Sequence, residues 1–76
     1  MPYSRNADLP EKVRDHLPDH AQTIYRMAFN NAWEFYKEPA KRRENKDQEE
    51  TAHSVAWAAV EKKYKKNDND QWVKLS

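Results

Sequence analysis

Between positions 19 and 37 the apolar side chains Ala21, Ile24, Tyr25, Ala28, Ala32, Phe35 and Tyr36 recur at three- and four-residue intervals, and Phe29 and Trp33 widen the stripe. That period predicts an amphipathic helix from about Asp19 to Lys37, stopped by Pro39. A second stripe, Ala52, Val55, Ala56, Ala59 and Val60 with Trp57 and Tyr64 at its margin, predicts another helix from about Gln48 to Lys65. Alanine at three of those positions lets a neighbouring helix come close. A shorter helix, about Leu9 to His16, must end before Leu17 and Pro18, because the residue preceding a proline is steered away from helical backbone.

Three acidic residues are each followed three positions later by Glu or Gln: Asp8 with Glu11, Asp19 with Gln22, and Asp47 with Glu50. Such pairs can satisfy the free N–H groups of a first helical turn. Pro10 and Pro18 add weight to the first two, since proline fits a first turn. The charged stretch Glu38 to Asp47 has almost nothing to bury and reads as a solvated loop. Beyond a polar turn at Asn67 to Asp70 come Trp72, Val73 and Leu75, for which a short two-stranded ribbon with Tyr3, from the two ends of the chain, is expected. The fold class is therefore mostly α: a small three-helix domain, one helix short and two longer ones paired as an antiparallel hairpin, with a short ribbon.

Composition narrows the function. Seventy-six residues suffice for one domain, 1–76, because a chain of this size buries only about 60% of the surface it exposes when unfolded. Charged residues make up 36% of it and mean hydropathy is -1.37, so the nine aromatic side chains must supply much of the core. There is no cysteine, which removes disulfides and thiol chemistry and makes a reducing cytoplasm the expected compartment. There is no glycine either, so phosphate-cradling loops, dinucleotide fingerprints and the strained nucleophile elbow are excluded. The longest apolar run, Val55 to Val60, is far short of the roughly 18 residues of a membrane span, and Met1 to Asn6 does not read as a signal peptide. Neither membrane insertion nor export is expected.

No residue set points to catalysis: Ser4, Ser54, Ser76, Thr23 and Thr51 have no His and carboxylate in supporting positions. His16 and His20 have ligand spacing but are split by Pro18, and His53 reads as a half-buried residue hydrogen-bonded to backbone or carboxylate. Asp68, Asn69 and Asp70 resemble the opening of a calcium loop but lack its glycine and its closing glutamate. No cofactor, metal or small-molecule substrate is expected.

What remains is binding. Trp57, at the edge of its stripe, and Trp72, beyond the last helix, are the expected exposed anchors, flanked by Lys62, Lys63 and Lys65. Two basic clusters, 41–46 and 62–66, allow nucleic-acid binding as the alternative. They would lie about 20 to 25 Å apart at opposite ends of a helical hairpin, and the net charge is only +1.

Asp8-Leu9-Pro10, Leu17-Pro18 with His20-Ala21-Gln22, Ala28-Phe29-Asn30 with Ala32-Trp33, and Glu50-Thr51-Ala52-His53 running into Val55-Ala56-Trp57-Ala58-Ala59-Val60, closed by Trp72, form a recognisable series. Together they resemble the ChaB family of small bacterial cation transport regulators, over essentially the whole chain. The resemblance implies a cytoplasmic accessory protein that regulates a sodium or calcium/proton antiporter of the inner membrane; a monomer, peripheral at that membrane through its partner, is expected. It also implies a compact helical fold with a small sheet. It carries no active-site residues with it.

Overall fold

The two proline signals are realised in the backbone itself. In the computed structural model, which describes residues 2–41, 47–69 and 71–75, Pro10 and Pro18 occupy the capping positions of the first two helices. These are α1, Glu11–His16, and α2, Asp19–Phe35. Neither helix has a side-chain cap, so the Asp8–Glu11 and Asp19–Gln22 pairs do not form. Gln22 instead turns back, its Nε2 donating to the carbonyls of Leu17 at 2.8 Å and Arg14 at 3.4 Å, which ties α1 to α2. The third pair forms in one direction: Asp47 Oδ1 accepts the Glu50 N–H at 2.7 Å and caps α3, Gln48–Glu61.

α2 and α3 supply most of the core. Ala21, Tyr25, Phe29 and Ala32 on one helix, and Ala52, Ala56 and Val60 on the other, repeat every third or fourth residue and are all buried. Ala52 and Ala56 have no exposed surface, so the backbones can approach closely. The helices run antiparallel, because Gln48 Nε2 at the start of α3 donates to the Trp33 carbonyl near the end of α2. At the other end, His20 Nδ1 and the Tyr64 hydroxyl share a hydrogen bond of 3.0 Å. Leu9, Val13 and Leu17 close the core from the N-terminal side.

α3 stops at Glu61 rather than Lys65. Lys62 and Lys63 form a turn, and Tyr64 swings inward, 5% exposed, as the first residue of a strand. This strand, β1, Tyr64–Lys66, pairs antiparallel with β2, Trp72–Lys74, in the register Tyr64↔Lys74, Lys65↔Val73, Lys66↔Trp72. The fold is thus mostly α with a short two-stranded ribbon, but the ribbon's inner strand is Tyr64–Lys66 and not Tyr3. Tyr3 is satisfied elsewhere. Its N–H donates to Asn30 Oδ1 and its carbonyl accepts from Asn30 Nδ2, both at 2.8 Å, so one amide side chain stands in for a strand partner. The turn after β1 joins two strands and does not terminate a helix: Asn67 Oδ1 accepts the N–H groups of Asn69 and Gln71, each at 2.9 Å. Asp70 lies outside the described residues.

Candidate docking groove at the ribbon

Trp57 is held in place from beneath. Its ring meets the buried Tyr25 edge-on at a centroid distance of 5.0 Å, and the Tyr25 hydroxyl in turn shares a hydrogen bond with His53 Nδ1 on α3. Burial favours the uncharged form of both partners in that hydrogen bond. Burial pushes the Tyr25 hydroxyl well above its ordinary value, so it keeps its proton. Burial also lowers His53, against the opposing pull of Glu49, which favours the uncharged ring.

A pH dependence follows. His53 binds its proton less readily folded than unfolded, so its contribution to stability is complete above the ordinary histidine value of 6.5 and is lost as pH falls through the lower folded value. Thermal melts between about pH 7.5 and about pH 5 are expected to show Tm falling toward acid, with a shallower fall in His53→Gln. An identical slope in the variant would contradict this.

Trp72 comes to Trp57 from the ribbon. The pleat places side chains of Tyr64, Lys66, Trp72 and Lys74 on one face and those of Lys65 and Val73 on the other. The indoles of Trp57 and Trp72 lie 5.6 Å apart at 30°, both half-buried. They form the wall of an open groove of about 320 Å³ whose other sides are Lys12 and His16 of α1, Glu61 of α3 and Lys66 of β1. His16 is fixed there by a 2.7 Å hydrogen bond between its Nδ1 and the Lys12 carbonyl. An adjoining recess of about 300 Å³ shares His16 and Trp72 and continues between Leu17-Pro18 and β2. A third hollow, about 500 Å³, is lined at the far end of α2 by Ala28, Asn31, Ala32, Phe35, Tyr36 and Val55.

The two tryptophans expected as anchors therefore share one surface, while the three expected lysines are dispersed around it. Lys62 and Lys63 sit in the turn after α3 and Lys65 points to the opposite face of the ribbon. Lys66 stands beside the indoles instead, together with Lys12, His16 and Glu61, none of which the sequence pattern singled out for this surface. Lys66 was legible in principle, since a strand through Tyr64 places position 66 on the same face. Of the cluster 41–46, Arg42, Arg43 and Lys46 lie outside the described residues, and Lys41 Nζ rests 4.8 Å from the centroid of the Phe35 ring. Phe35, assigned to the core stripe by its spacing, is 57% exposed because α2 outruns the core after Ala32. Among the described residues no group of three His, Asp or Glu side chains gathers as a metal site would require.

A family model described as ChaB matches residues 9–75. The chain is 55% identical, over its full length and theirs, to proteins of Escherichia coli (strain K12) and Shigella flexneri, each named "Putative cation transport regulator ChaB". A solution NMR structure of a protein bearing the same name superposes with a TM-score of 0.82 at 55% identity, covering 99% of this chain and 100% of that one.

Proposed function

The chain belongs to the ChaB family, and from that premise we propose that it is a non-catalytic regulatory module that docks on the cytoplasmic face of a sodium or calcium/proton antiporter. The relatives' names supply the field of action, cation transport. The observation that carries the reading is the Trp57–Trp72 pair, two large apolar rings left half-open beside lysines at the end of an otherwise well-packed helix pair. Such partly exposed tryptophans are what interface anchors are made of. Among the described residues no helix is long and apolar enough to cross a membrane, which suits contact with a transporter from its aqueous side. The Tyr25–His53 pair, the nearest thing to an acid–base couple, is used internally, since Tyr25 has no exposed surface.

The test is co-purification of tagged protein with the antiporter from membranes. Wild type is expected to retain it and Trp72→Ala to lose it while circular dichroism is unchanged; no association at any salt concentration would overturn the proposal. The alternative, a nucleic-acid-binding surface, is supported by the exposed Lys62, Lys63, Lys65 and Lys66. A phosphate binder must lose affinity steeply as salt rises, so undetectable binding of duplex DNA or RNA at low salt dismisses it.

A further inference from the structure

The ribbon is two strands wide, and the hydrogen-bond pattern fixes which of its backbone groups are used. Leu75 N–H donates to the Lys63 carbonyl and Asn67 N–H to the Gln71 carbonyl, both at 2.8 Å. In an antiparallel ladder such bonded pairs alternate with non-bonded ones. With the observed register, Lys65 and Val73 face each other as a bonded pair, and Trp72 and Lys74 turn their N–H and C=O groups away from β1. Among the described residues neither of those two N–H groups meets an acceptor. The recess beside Leu17-Pro18 borders β2, and Gln71, Trp72 and Val73 all contribute to it. Neighbours from opposite faces of a strand can line one hollow only along its edge. Leu17 and Pro18 are themselves extended, with ψ of 135° and 164°, so the recess runs between two stretches of extended chain.

Charge and apolar surface identify what fits. From Lys62 to Leu75 the chain carries five lysines against two aspartates. Lys12 and Lys66 flank the indoles, and among the described residues neither is in an ion pair. An unsatisfied strand edge recognises the backbone of an extended peptide, while pockets beside it select alternate side chains. Nucleic acid fits less well. It has no alternating amide N–H and C=O groups with which to complete the open edge of β2.

We propose that β2 is a docking edge: an extended, acidic peptide segment of the partner adds to it as a third strand, bonded to the main chain of Trp72 and Lys74, with an apolar side chain against the Trp57–Trp72 pair. The proposal rests on the reading of this surface as the docking site and specifies the chemistry of what docks.

The probe is the peptide acetyl-Glu-Val-Glu-Phe-Glu-Val-Glu-amide, titrated into the isotope-labelled full chain while amide shifts and hydrogen exchange are followed. The Trp72 and Lys74 amides are expected to shift and to gain protection from exchange. An analogue N-methylated at alternate amides cannot complete the ladder and is expected not to bind. Lys74→Pro removes an outward N–H without breaking the ladder to β1, and proline is tolerated at such edge positions. It is expected to weaken binding roughly two- to tenfold beyond Lys74→Gln, which removes only the charge. Should Lys74→Pro fail to fold, the N-methylated analogue on wild type still decides the matter. Absence of binding, undisturbed Trp72 and Lys74 amides, equal binding of the N-methylated peptide, or a single-stranded thymidine oligonucleotide moving those amides where the peptide does not would each overturn the proposal. Antiporter retention without peptide addition at the edge would remove the strand addition and leave the docking reading intact. Peptide addition without antiporter retention would do the reverse.

Discussion

Phe29→Ala is expected to leave the chain largely unfolded or to lower its Tm by roughly 10 to 40 °C. Phe29 has no exposed surface, and its ring touches three others: Tyr3 at 4.8 Å, His53 at 4.7 Å and Trp33 at 5.9 Å between centroids. Emptying such a site costs about 3 to 5 kcal/mol, because the removed atoms lose their burial and the surroundings collapse only in part. A chain of this size holds a total stability on the order of 4 to 11 kcal/mol, so one ring is a large share of it. Phe35→Ala is the matched control: the same deletion at a ring that is 57% exposed should cost under about 1 kcal/mol. Thermal circular dichroism of the two variants measures the difference, and equal losses would mean that the core is not where the helix pair places it.

The second large effect is expected in binding. Trp72→Ala should weaken association with the antiporter by about 2 kcal/mol or more, roughly thirtyfold in Kd, while shifting Tm little. The ring is half-exposed, and its chief aromatic contact is Trp57. Trp57→Ala should lose both affinity and stability, since Trp57 also covers the Tyr25 ring at 5.0 Å. Calorimetry with the purified antiporter, run beside thermal melts, separates the two effects. Unchanged affinity in both variants would move the docking surface elsewhere.

The helix pair could be read from the sequence because its signals agree. Apolar side chains repeat every three or four residues, prolines mark both early helix starts, and Asp47 stands where a capping acceptor is needed. The ribbon could not. Tyr64 continues the four-residue spacing of Ala56 and Val60, so the pattern reads as one more helical turn. Only the packed structure shows that the ring reaches its buried place, and its bond to His20, from a strand. The same substitution of tertiary for local logic explains Tyr3. Its apolar ring suggested a strand beside Trp72, yet the Asn30 side chain supplies both of the hydrogen bonds its backbone requires. Periodicity picked out the tryptophans of the groove as residues left over from the core. The groove's other side chains, Lys12, His16, Glu61 and Lys66, come from three elements that meet only after folding, and no linear spacing links them.

Photo-crosslinking from the groove itself tests the docking surface most directly. A photoreactive side chain placed at position 72 in one variant, and at the exposed position of Met27 on α2 in another, is irradiated with the antiporter in membrane vesicles. Crosslinks from position 72 and none from position 27 are the expected result. Crosslinks from position 27 alone, or from neither position while the proteins remain associated, would contradict docking through the ribbon.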